Sequence, residues 1–202
     1  MPTLPQSWPD LTTKLSSFFE IWDEIRQKTG DIPYRRDLGL PKLGRLAPFI
    51  TILERTAPGE MHVKMTGTEI DAQFGRNLSG LNVADLTEPE ARKALISFHE
   101  ALMDQPCGGY AHDILITENG KRLSAKYLIL PLKNRFGELK QCASICDSEF
   151  AGFSAAPGIE TPRITYKEFQ RSQHLDLGYG LPDYRPLIEH GYIAKRPLIE
   201  HG

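Results

Sequence analysis

Apolar positions recur at steps of four and three near the start of the chain, at Leu11, Leu15, Phe18, Trp22 and Ile25. On a helix of 3.6 residues per turn they form one stripe, and Gly30 ends the pattern. Ser7-Trp8-Pro9-Asp10 supplies a cap, an early proline and an acid for the positive end of the dipole, which predicts the helix start. The stripe has two readings. It packs on its own domain, or it meets a second subunit, because the same spacing suits a coiled-coil seam. In the second reading Leu11, Leu15, Phe18, Trp22 and Ile25 are the interface of a homodimer.

After an irregular connector from Pro33 to Pro48 the period changes to two. Phe49 to Arg55 is rich in apolar and β-branched residues, and Ala57-Pro58-Gly59-Glu60 is a turn signal. Met61, Val63 and Met65 alternate with His62, Lys64 and Thr66, so the two segments read as a hairpin. Thr68 to Phe74 allows two helical turns with Ile70 and Phe74 inward, broken by Gly75, Arg76-Asn77 and Gly80. Thr87-Glu88-Pro89-Glu90 opens a longer helix with Ala91, Ala94, Leu95, Phe98, Ala101 and Leu102 on one face, stopped near Gln105 by Pro106. A meander closes the pattern: Tyr110 to Thr117, an Asn119-Gly120 turn, Leu123 to Leu132, a second turn over Asn134 to Glu138, then Leu139 to Asp147. Helices inserted between a hairpin and a meander predict an α+β domain with those helices on one face of an antiparallel sheet.

Three segments follow: an N-terminal helix over 1–30, a core over 31–150 and a C-terminal extension over 151–202, expected to be partly irregular. The extension is rich in Gly, Pro and charge. It ends in a repeat, Arg185-Pro-Leu-Ile-Glu-His-Gly191 and again Arg196-Pro-Leu-Ile-Glu-His-Gly202. Two such short copies make no solenoid. They read as a local duplication in a permissive tail or as a pair of docking segments.

Composition narrows the function. The chain has 202 residues, 40% hydrophobic and 25% charged, enough for a core without staples. Net charge is −2 with no basic block, which argues against gripping nucleic acid. No apolar run reaches the roughly 20 residues of a membrane span, and the N-terminus lacks the form of a secretion signal. Three cysteines, Cys107, Cys142 and Cys146, without a CxxC pair argue against a disulfide framework or zinc and fit a cytoplasmic location.

The order of elements and several residues resemble the stand-alone PAS-domain proteins of alphaproteobacteria. The likeness runs from about Phe19 to Leu132, and its most specific stretch is Met65 to Leu81, with Gly67-Thr68, Gly75-Arg76 and Gly80. Trp22 with Arg26, Pro33-Tyr-Arg-Arg-Asp37 (hence Arg35 and Asp37) and Leu128-Ile-Leu-Pro-Leu132 fit the same pattern. Lys64 stands where that family usually has arginine, and the last strand is atypical. The resemblance implies a five-stranded sheet of order 2-1-5-4-3 and a pocket between the sheet and the short helices. By alternation, Met61, Val63 and Met65 are expected to line it with Ile70, Phe74, Leu95 and Phe98, unless they are plain core.

Flavin photoreceptors of this superfamily carry a cysteine after Gly-Arg-Asn, but Gly75-Arg76-Asn77 is followed by Leu78, which disfavours a cysteinyl-flavin photocycle. An axial haem histidine could come from His99 on the long helix, or from His112 on a strand, yet a boundary histidine satisfied locally is the commoner case. No metal site is expected. Arg35, Arg36 and Asp37 form a solvated connector, a salt-bridged hinge or an anion site. There is no nucleophile elbow, phosphate-cradling loop or His-Glu-x-x-His. The expected function is a non-enzymatic signalling domain that binds a small ligand, a partner protein or both, and transmits its state by dimerisation or docking. The alternatives are a small-molecule-binding enzyme on a cone-shaped or cystatin-like sheet and a ligand-free structural adaptor.

Overall fold

The computed structural model describes residues 8–149 and 162–182. Among these residues four α-helices, α1 (Thr13–Thr29), α2 (Leu40–Leu43), α3 (Thr68–Phe74) and α4 (Arg92–Asp104), occur together with short 3-10 turns. Six strands, β1 (Ile50–Ala57), β2 (Glu60–Thr66), β3 (Gly108–Thr117), β4 (Arg122–Lys133), β5 (Leu139–Ser148) and β6 (Ile164–Leu175), form one antiparallel sheet. Their order is β2-β1-β5-β4-β3-β6, so the expected 2-1-5-4-3 arrangement is present with one strand added at its end.

The sheet is covered on both faces, and each face has its own core. On one side Leu53, Met61, Val63, Ala111, Leu115, Ala125, Ile129, Cys142 and Cys146 pack under α3, α4 and the connecting 3-10 turns. On the other, Ile50, Ile52, Tyr110, Leu128, Leu130, Leu132, Ala143 and Ile145 pack under α1, α2 and the Tyr34–Leu38 connector. Strands buried on both faces lose polar-apolar alternation. This is why Leu128 to Leu132 reads as a continuous apolar run and why Gln141 to Cys146 is buried at every position.

Helix α1 therefore spends its stripe inside the chain. Leu15, Phe18, Trp22 and Ile25 are buried in the second core, and Leu11 packs at its edge. The indole N–H of Trp22 donates to the Pro131 carbonyl of β4 at 3.0 Å, which fixes the helix on the sheet. The homodimer interface expected from these five residues is corrected accordingly: the apolar surface of four of them is already covered, and Leu11 alone is partly exposed. The helix start also moves. Thr12 is the N-cap, its hydroxyl accepting from Leu15 N at 3.5 Å, and Gly30 is the left-handed C-cap as expected.

The extension supplies the second correction. Residues Ile164–Leu175 are a strand, paired with β3 along its length from Thr117 to Gly108, so the sheet runs past the 31–150 boundary. Only part of the extension lies among the described residues, and the repeat at 185–191 and 196–202 lies outside them.

A β-bulge supplies the third. The β1–β2 register shifts between Ile52↔Met65 and Leu53↔Val63, which leaves Lys64 as the extra residue. A bulge breaks the period of two, and everything beyond it changes face. Met61 and Val63 face the first core, whereas Met65 lies across from Ile52 on the other side, 37% exposed.

Local chemistry explains the stretch from Gly67 to Gly80. A Cβ on Gly67 would lie 2.2 Å from the Pro48 carbonyl oxygen, so only glycine lets the end of β2 pass the segment that leads into β1. Thr68 opens α3, and Gly75 ends it at φ 63°, a left-handed cap that other residues adopt at a cost. Asp71 of α3 accepts from the Thr66 hydroxyl and from Leu78 N, which holds the glycine-rich turn against the helix. Gly80 then donates its N–H to Val63 O at 2.7 Å. Arg76 is exposed.

Candidate functional site

The space between the sheet and the helices α3 and α4 is nearly filled. Its cavity measures about 70 Å³ and is lined by Leu53, Val63, Ile70, Phe74, Leu95 and Ile129 together with a small polar set. Ligand pockets for drug-sized molecules run to roughly 300–1,000 Å³, so a flavin or a haem does not fit this cavity as packed. Phe98 is fully buried in the same core without lining the cavity. Of the sequence-based pocket candidates, Val63, Ile70, Phe74, Leu95 and His99 meet here. Met61 and Phe98 are core beside it. Met65 and His112 do not belong to it: the bulge turns Met65 away, and His112 sits on the opposite phase of β3, its Nε2 2.9 Å from the Ser124 hydroxyl.

The polar set is the unexpected feature. Asp113 lies on the inward phase of β3, between Ala111 and Leu115, and is 1% exposed. Its Oδ2 is 3.3 Å from the Lys167 ammonium of β6, while Oδ1 has no hydrogen-bond partner. Burial pushes this carboxyl above the usual range, and the nearby Lys167 pulls it back. The Lys167 ammonium also sits over the Tyr127 ring, 5.1 Å from its centroid. The Tyr127 hydroxyl meets the Cys146 thiol, and burial pushes both above their ordinary values, the thiol to about 11. Gln73 of α3, Thr51 of β1 and Ser144 of β5 add to the polar lining.

His99 enters from α4. Its Nδ1 is 2.8 Å from the Leu95 carbonyl, one turn back, so Nδ1 carries the proton and Nε2 is left as the acceptor. Burial holds His99 at about 4, with Lys167 and His174 adding to the shift, so the ring is neutral. His174 of β6 stacks on Phe98 with centroids 4.9 Å apart, and burial holds it at about 4 as well.

Lys167 and His174 were missed because they lie in the segment read as a tail. Asp113 had a signal: an acid on the inward phase of an otherwise apolar strand. Among the described residues, no group of three or more His, Cys, Asp or Glu side chains is arranged to hold a metal. No described helix is long and apolar enough to cross a membrane.

On the opposite face Arg35, Arg36 and Asp37 form a 3-10 turn, with the Asp37 carboxylate accepting from Tyr34 N at 3.1 Å. Arg35 and Arg36 line a groove there.

A curled antiparallel sheet with a hairpin, inserted helices and a meander, enclosing a small cavity, is an α+β fold of the PAS type. The sequence profile described as a PAS domain matches residues 12–145, and the chain belongs to that family. No curated protein matches it. Among solved structures it is similar to a light-oxygen-voltage domain studied with a flavin analogue, at 12% identity over 57% of this chain and 88% of that one, with a TM-score of 0.43. It is similar to the PAS domain of a Colwellia psychrerythraea protein at 11% identity, covering 54% and 94%, with a TM-score of 0.40. The N-terminal domain of a Marinobacter aquaeolei diguanylate cyclase with PAS/PAC sensor aligns at 12% identity, covering 48% and 91%, with a TM-score of 0.38.

Proposed function

We propose that this chain is a non-enzymatic PAS regulatory domain whose input site is the cavity under α3 and α4, and whose output passes to a partner protein or a second copy. The observation that supports it is the buried Asp113 carboxylate with one oxygen unpaired. An unsatisfied buried acceptor costs on the order of 1–3 kcal/mol, which a ligand carrying a hydrogen-bond donor recovers. A cavity of about 70 Å³ limits that ligand to a few heavy atoms. Its arrival alters the packing of α3 and α4 only if it binds two arrangements unequally. Because α1 uses its apolar stripe internally, contact with a partner falls to other surfaces. The Met65 to Leu81 stretch supports a place among the alphaproteobacterial members.

The enzyme alternative rests on His99 and Asp113 lining one cavity. Against it stand the cavity volume, the neutral His99 and the Asp113–Lys167 pairing. The adaptor alternative is the outcome if nothing binds. Native mass spectrometry of the full chain and of Asp113→Asn separates the three. A retained small mass in the first, absent from the second, is the expected result. No adduct in either leaves the adaptor and sinks the ligand part, and turnover of a bound molecule overturns the non-enzymatic reading.

A further inference from the structure

The larger concavity lies on the other face of the sheet. It measures about 670 Å³, within the roughly 300–1,000 Å³ of small-molecule sites. Its apolar floor is Ile50 and Ile52 of β1 with Phe18 of α1, and Leu43 of α2 stands beside it. Five large hydrophobic residues are exposed among the described residues, and three of them, Leu40, Met65 and Phe136, line this groove. They come from three separate segments: α2, the bulged end of β2 and the β4–β5 turn. Scattered exposed hydrophobics are ordinary, but a convergence of this kind marks a binding surface.

The groove is also cationic. Arg35, Arg36, Arg135 and Lys64 line it, against the single carboxylate of Glu54. Glu54 is already engaged: Oε2 takes Lys64 at 2.9 Å and Oε1 accepts from Gln141 Nε2 at 2.8 Å. The three guanidinium groups are not comparably engaged. Arg35 reaches the Met65 sulfur at 4.0 Å and helps hold Glu54 low, Arg36 lies 4.0 Å from Asp37 and over the Tyr34 ring, and Arg135 lies over the Phe136 ring.

The third observation is Gln141 of β5. It is 4% exposed and lines the groove, and its Oε1 has no partner. A buried amide oxygen left open at the floor of a cationic, apolar groove asks for an O–H or N–H donor from whatever fills it.

We infer that this groove is a second ligand site, taking an amphipathic small anion. An acyl chain lies on Ile50, Ile52 and the exposed Leu40, Met65 and Phe136. The anionic head faces Arg35, Arg36 and Arg135, and a hydroxyl or amide N–H beside the head donates to Gln141. N-acyl amino acids and hydroxy fatty acids have this chemistry. The site is separate from the Asp113 cavity, since the sheet lies between them, and it stands whether or not that cavity binds anything.

The test is calorimetric titration of the full chain with N-decanoylglycine below its micellar concentration, with decanol and decyltrimethylammonium as controls. Saturable binding at one site is expected, weaker by about tenfold or more for decanol and absent for the cation. Arg35→Ala combined with Arg135→Ala, both surface changes, lowers the affinity at least about tenfold while the melting profile is retained. Gln141→Leu lowers it with the charge intact, and Asp113→Asn leaves it unchanged. Equal binding of all three amphiphiles, or equal binding by the double arginine variant, overturns the proposal. So does no binding by a folded protein. Capture of an acidic peptide in place of the acyl anion also overturns it.

Discussion

Trp22 decides between two uses of the N-terminal helix. Its ring is fully buried, and its N–H reaches the Pro131 carbonyl at 3.0 Å, across 109 residues of sequence. Trp22→Phe keeps an aromatic ring but removes the donor, a loss of about 1–3 kcal/mol when the acceptor stays buried. Trp22→Ala also removes the ring, and such truncations cost roughly 3–5 kcal/mol. Against a typical total of about 5–15 kcal/mol the second change consumes much of the stability. At about 2–4 °C per kcal/mol for a chain of this size, melting falls by roughly 2–12 °C for phenylalanine and 6–20 °C for alanine. Urea unfolding followed by circular dichroism measures both, with the slope showing whether two-state behaviour persists. If the stripe served a subunit interface instead, the wild-type midpoint would rise with protein concentration and the variants would lose that dependence. A Trp22→Ala protein within about 0.5 kcal/mol of wild type refutes the packing argument, as that is the scatter of ordinary surface changes.

Two further outcomes follow from the fold and its titratable groups. Gly67→Ala places a methyl 2.2 Å from the Pro48 carbonyl oxygen, so backbone has to move, and a loss of about 1–3 kcal/mol in urea unfolding is expected; a neutral result refutes the close approach. His99 and His174 are both held at about 4 against an ordinary 6.5, so the unfolded chain takes up protons first as pH falls. Their neutral burial is fully tolerated above pH 6.5, and stability is lost between there and about pH 4. Asp113 acts with the opposite sign, because its raised carboxyl favours folding as it protonates. A shallower pH dependence of the urea midpoint in His99→Gln than in wild type checks the histidine contribution, and identical slopes contradict it.

Much of the fold was legible because local signals and the sheet agree. Asn119-Gly120 closes the β3–β4 turn, Gly75 caps α3, and the inserted helices fall where periodicity puts them, although α4 opens at Arg92 behind a 3-10 turn and without the side-chain cap expected from Thr87 to Glu90. The failures share a cause, in that each depended on something distant in sequence. The stripe of α1 suits any apolar surface, and only the second face of β4 and β5 determines that it stays within the chain. The run from Leu128 to Leu132 carried that information, since a strand apolar at every position needs cover on both sides. Met61, Val63 and Met65 alternate cleanly in sequence, while the bulge at Lys64 arises from pairing with β1. Strand β6 is polar and charged, as an edge strand tends to be, and a charged edge strand reads like a tail. The Asp113–Lys167 pair is hidden for the same reason: one partner is on a recognisable strand and the other is not.

The sixth strand also determines how copies of this molecule can meet. In a five-stranded sheet β3 would offer an open row of backbone donors and acceptors to any neighbour. Here the chain fills that row with its own segment, from Gly108 to Thr117. The new margin carries Lys167, Glu168 and Arg171, and charge of this kind discourages a foreign strand from zipping on. Sheet-to-sheet fusion at that end is guarded, and recruitment of a neighbour there has to begin with side chains.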